Sequence, residues 1–239
     1  VFVCSSTLRT RMPASDSVLF RAEAPGGLGL WGAMLVSYVV NPLILPPLVY
    51  GIILTHVGAS RVDMAKGVGL ALVFLALVPL AYVGWMRRRG RIESIEIRDR
   101  SKRTGPFLVV LVAGLAAFGG VLGMEMTGRR LLAALVGCHI LNTSLLFFVT
   151  AWWKISVHCA SVSGAVATLG FAQVHVPGTL LNAAVAGHGL LIGGALLMAV
   201  MMWARVRSRA HTSWQVVAGT GLGLASYGEL LLLAQTVGL

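Results

Sequence analysis

Charge is scarce in this chain. Asp, Glu, Lys and Arg make up 11% of its 239 residues, where a soluble domain carries about 25%. Acidic residues are the scarcer half, with eight Asp and Glu against nineteen Lys and Arg. Cysteine is scarce as well. Cys4 lies in a polar N-terminal stretch, and Cys138 and Cys159 lie in apolar runs, which excludes a disulfide framework and reads as small buried hydrophobes. Closely spaced His, Cys and Asp residues are missing, so neither a metal nor any other cofactor is expected. Asp-rich pairs of the kind that hold magnesium diphosphate are missing too, which argues against a prenyltransferase. No βαβ pattern surrounds the Gly219-Thr220-Gly221-Leu222-Gly223 run, which excludes a dinucleotide fingerprint. Residues 1–28 are polar, contain arginines and lack an apolar h-region, so no cleavable signal peptide is expected there. The chain opens on Val1, and Met12 is a candidate start.

Apolar sequence, by contrast, is abundant. Hydrophobic residues make up 57% of the chain and the mean hydropathy is +0.85. The expected fold is all-α, a polytopic membrane helical bundle of about six or seven transmembrane helices. A span needs roughly 20 apolar residues, and seven runs qualify: 33–54, 66–85, 107–124, 131–150, 155–173, 179–203 and 213–237. Residues 1–28 form a polar N-terminal segment and 29–239 the transmembrane domain. The first run carries Asn41-Pro42 and Pro46-Pro47, which predict a kink or a late helix start. Gly187, Gly189, Gly193, Gly194, Gly219, Gly221 and Gly223 predict close backbone approach between helices.

The net charge of +11 sits in the short polar connections and not in a basic domain, which excludes nucleic acid as a partner. With seven crossings, all cations but Arg61, Lys66, Arg129 and Arg130 share one face. The positive-inside rule then puts that face in the cytoplasm, at a membrane such as the bacterial inner membrane. Association of the chain with further copies of itself stays open.

Two hinges on the basic face carry chemistry. Residues 203–219 read WARVRSRAHTSWQVVAG, with His211 and, one helical turn on, Gln215. Residues 152–164 read WWKISVHCASVSG, with Ser156 and His158 at the start of another apolar run. The segment 98–106 precedes the third span. Cations and helix N-termini suit a phosphate, and two histidines can supply a nucleophile and a proton donor. Asp99 reads as an ion-pair partner inside its basic loop. Lys154 reads equally as a snorkelling anchor or a phosphate ligand. A second group, His139, His188 and Glu229, is expected at one depth about 12–14 Å inside the bundle, as a hydrogen-bonded knot.

The hinges resemble the type 2 phosphatidic acid phosphatase and vanadium haloperoxidase superfamily. Its third motif is Ser-Arg, five residues, His, three residues, Asp; here Ala204-Arg205, His211 and Gln215 stand in that spacing. Its second motif, Pro-Ser-Gly-His, is similar to Ile155-Ser156-Val157-His158. Its first, Lys, six residues, Arg-Pro, is worn: Arg103 lies before Thr104-Gly105-Pro106 with Glu96 at the Lys position, or Arg98 aligns with Gly105 at the Arg position. The resemblance covers about residues 98–219 and implies a phosphatase-like core over about 98–239 of the transmembrane domain. It implies hydrolysis of a phosphomonoester or diphosphate of a lipid, without metal, through a phosphohistidine. His211 would be the nucleophile, His158 the general acid and Gln215 the orienting partner of His211. Arg205, Ser156 and Lys154, with Arg103, Lys102 or Arg98, would bind phosphate. Because Gln215 stands where the family has Asp, the other implied reading is a weakened or inactive relative that binds phospholipid or acts as an assembly subunit.

Overall fold

The computed structural model describes residues 27–237, with the exception of 95, 96, 98 and 183. The described residues form helices and short turns, with no strand among them. Six helical stretches are long and apolar enough to cross a membrane: Arg61–Arg88, Ser101–Leu122, Arg129–Trp152, Val157–His175, His188–Arg207 and Ser213–Thr236. The expected helical membrane bundle is therefore the observed architecture.

The first expected span, 33–54, is not one helix. It divides into α1 (Leu28–Val39) and α2 (Leu45–His56). The prolines explain the break. Pro42, Pro46 and Pro47 have no N–H, so the carbonyls of Tyr38, Pro42 and Leu43 lose the donor four residues on. Asn41 completes the turn, its Oδ1 accepting from Leu43 N at 2.9 Å and its carbonyl from Ile44 N at 3.0 Å. The two short helices still travel the depth of the bundle together. Gly29, at the start of α1, lies against Arg207 at the basic end. At the other end, the buried ring of His56 accepts from Leu181 N at Nδ1 (3.1 Å) and donates from Nε2 to the Val176 carbonyl (3.1 Å).

The next crossing joins α3 (Arg61–Ala71) to α4 (Val78–Arg88) through a π-helical segment, Leu72–Leu77. Such a widened turn absorbs the missing N–H of Pro79 without ending the helix. It is followed by α5 (Thr104–Leu122), α6 (Arg129–Trp152), α7 (Val157–His175) and α8 (Ala184–Arg207). The last crossing is α9 (Ser213–Leu224) and α10 (Ser226–Val237), interrupted at Ala225. Ile53, Leu75, Val121, Leu132, Phe171 and Leu230 fill the centre of the core.

The closest helix pair is α7 with α9, and the two run parallel. Gly219 lies against the Ser156 carbonyl, and Gly223 against the Ala160 carbonyl, Ser163 Oγ and Gly164 N. A Cβ at either glycine would overlap those atoms. Small residues here let two backbones touch, as the glycine content predicts. Gly194 makes room for the Val166 side chain, whereas Gly189, Gly193 and Gly221 face open space and take no part.

Candidate functional site

Parallel packing of α7 and α9 brings two helix N-termini side by side. Ser156 is the N-cap of α7, its Oγ accepting from Cys159 N at 3.4 Å. Thr212 is the N-cap of α9, where Thr212 and Gln215 form a reciprocal capping box. Ser156 N donates to the Gln215 carbonyl at 3.3 Å, which locks the two ends together. Both dipoles point their positive ends at one place.

The spacing of Arg205 and His211 follows from how α8 ends. The Arg205 carbonyl accepts from Ala210 N and His211 N, both at 3.2 Å. Arg209 adopts a left-handed conformation (φ 53°) to close this turn. The chain thus reverses within a few residues, and His211 returns beside the arginine six positions earlier. Arg205 and His211 are both buried.

Arg205 and His211 line a cavity of about 230 Å³ together with His158 and Arg103. The remainder of its wall is mainly apolar, drawn from α1 (Tyr38), the break (Asn41, Pro42, Leu43), α4 (Pro79, Val83) and α5 (Phe107, Val110). Among the described residues, no carboxylate lines it. Arg103 also donates from Nε to the Ile97 carbonyl at 2.8 Å.

The His211 ring is held in one tautomer. Gln215 Oε1 accepts from Thr212 N at 3.3 Å, which identifies it as the oxygen, and it stands 3.0 Å from His211 Nδ1. Only Nδ1–H can donate to it, so Nε2 carries the lone pair. Burial first, and then the Arg205 cation, push the His211 pKa down from 6.5 to about 3. Gln215 works in the other direction, and Lys154 and Arg103 add to the fall. His211 is therefore a neutral imidazole at neutral pH, within electrostatic reach of three cations.

Other expected residues settle differently. Ser156 is fully buried and caps α7, and it is not among the residues lining the cavity. Lys154 is half-buried at the turn before α7. Lys102 is exposed on the turn before α5, outside the cavity, because that turn presents Arg103 inward instead. Arg98 lies outside the described residues. Gly105, the alternative Arg position of the first motif, packs against Tyr82 Oη and has no space for a side chain. Asp99 is a cap: its Oδ1 accepts from Ser101 Oγ (2.8 Å) and N (2.9 Å), which, with the weaker attraction of the Lys102 and Arg103 cations, lowers its pKa. The contribution of α1, the helix break and α4 to the wall was not expected from sequence. Asn41-Pro42 inside an apolar run was the available signal.

The expected His139, His188 and Glu229 knot does not form as drawn. Glu229 Oε2 accepts from Asn142 Nδ2 at 2.6 Å and from the Cys138 thiol at 3.3 Å. Cys138 is thus a polar partner as well as a buried thiol. His188 is exposed on α8, since the rotation of that helix turns it outward. His139 lines a second cavity, described below. Comparison of the chain with protein-family models, with curated proteins and with solved structures yields no match.

Proposed function

We propose that the protein is a membrane lipid-phosphate phosphatase, hydrolysing a phosphomonoester or diphosphate of a lipid of the phosphatidic acid or polyprenyl phosphate type. One observation carries this reading. Arg103, His158 and the Arg205–His211 pair come from three separate stretches of chain and line one cavity whose wall is otherwise mainly apolar, with no carboxylate among its described lining residues. A cluster of cations attracts an anion, and an apolar wall suits the chain attached to it.

In this mechanism the lone pair on His211 Nε2 attacks phosphorus, and the bond from phosphorus to the leaving oxygen breaks. His158, as the imidazolium, gives its proton to that oxygen. Water then attacks the phosphohistidine, His158 takes back a proton, and inorganic phosphate leaves with His211 restored. Arg205, Arg103 and Lys154 offset the charge on the phosphoryl oxygens. Gln215 takes the orienting role through Oε1 but adds no negative charge to balance the phosphoimidazolium. The site face would lie on the cytoplasmic side of a bacterial inner membrane, on the strength of the charge distribution.

Gln215 favours a second reading, a protein that binds phospholipid without turning it over. Phosphate release from a panel of lipid phosphates in EDTA separates the two. The phosphatase reading expects turnover by the wild type, lost in His211→Ala and raised in Gln215→Asp. Silence in all three supports the binding reading.

A further inference from the structure

A second cavity lies on the other side of the α1–α2 break. It has a volume of about 100 Å³ and is enclosed mainly by α2, α6 and α7. Pro42 lines both this chamber and the basic cavity, so the break is the partition between them. Asn142 falls near the middle of the 24-residue α6, which places the chamber deep in the bundle.

Its wall is unusually polar for that depth. Tyr50, His139, Asn142, Thr143, Ser161 and Thr168 all line it. Two of their atoms, Tyr50 Oη and His139 Nε2, are out of contact with the surface and have no hydrogen-bond partner among the described residues. Beside the chamber, though not among its lining residues, Glu229 Oε1 is likewise unpaired among the described residues, on the carboxylate whose other oxygen Asn142 holds. A buried polar atom left unpaired is costly, and two of them face this one chamber. The break adds to the demand. The carbonyl of Pro42, which lines this chamber, lacks its helical donor because Pro46 has no N–H, and non-helical backbone at membrane depth persists where it is buried in protein or lines a water-filled space. The volume is ample, since one water needs roughly 10–15 Å³.

We propose that this chamber is a water site inside the membrane bundle. A small cluster of water molecules hydrogen-bonds Tyr50 Oη and His139 Nε2, serves the Pro42 carbonyl freed at the break, and reaches Glu229 through Asn142. The ligand class is protic and neutral. A lipid tail would leave every one of these atoms unsatisfied, and the lining offers no cationic side chain to hold a phosphate. The assignment does not rest on the phosphatase reading.

The test uses the full chain in detergent. In an experimental structure fine enough to resolve ordered solvent, density is expected within hydrogen-bond distance of Tyr50 Oη and His139 Nε2. Thermal unfolding of Tyr50→Phe gives an independent sign. If water pairs the hydroxyl, its removal lowers Tm by about 2–4 °C. If the hydroxyl is stranded in a dry chamber, its removal raises Tm. An empty chamber, or a rise in Tm, overturns the proposal.

Discussion

Gln215 Oε1 lies 3.0 Å from His211 Nδ1 while accepting the Thr212 N–H that caps α9. One amide oxygen therefore does two tasks. It anchors the helix end, and it leaves Nε2 of the imidazole unprotonated.

Replacing Gln215 by Leu should remove both. The proposed turnover should drop by about 10²-fold or more, since misplacing a catalytic histidine's tautomer has cost up to 10⁴-fold elsewhere. The lost cap should lower stability by about 1 kcal/mol. Initial rates and Tm of the same preparation check the two effects separately.

Acidification gives a second expectation. In the folded protein His211 stays neutral down to about pH 3, whereas its ordinary pKa is 6.5. Between these values the unfolded chain binds a proton that the folded chain refuses, so the contribution of this site is intact above pH 6.5 and is lost as pH falls. Unfolding followed between about pH 7 and pH 4 should show a steeper loss for wild type than for His211→Gln. Arg205→Gln, which removes a nearby cation, should raise the His211 pKa in an NMR titration.

Anion binding should track which cations face the cavity. Inorganic phosphate, measured by calorimetry, should bind Arg205→Gln and Arg103→Gln about tenfold or more weakly than wild type, the loss expected for one charge-assisted contact. Lys102→Gln, on an exposed turn, should have a much smaller effect.

Gly223→Ala should damage site and fold together. Its Cβ would overlap the Ala160 carbonyl and Ser163 Oγ, costing about 1–3 kcal/mol. It would also pry α9 from α7 and so separate His211 from His158. Gly221→Ala faces open space on the same helix and should be tolerated. Paired Tm and rate measurements would show the contrast.

His56→Phe should act on stability alone. It strands Leu181 N and the Val176 carbonyl, for about 1–3 kcal/mol apiece, at the end of the bundle away from the basic cavity. A lowered Tm with unchanged turnover is the expected pair of results.

Composition and apolar run length alone determined that this chain is a helical membrane bundle, because a long apolar stretch in lipid must satisfy its backbone internally. The spacing of Arg205, His211 and Gln215 could also be read directly, since a helix end, a tight turn and a capping box are local structures. The tertiary structure alone decided which polar residues share a cavity. Arg103 faces inward and Lys102 outward, Ser156 caps a helix, and His188 is exposed on α8, because helix rotation is set by neighbours distant in sequence. The role of the α1–α2 break was equally hidden: prolines announce a broken helix, but only packing against α4, α5, α6 and α7 turns the break into a wall between two cavities.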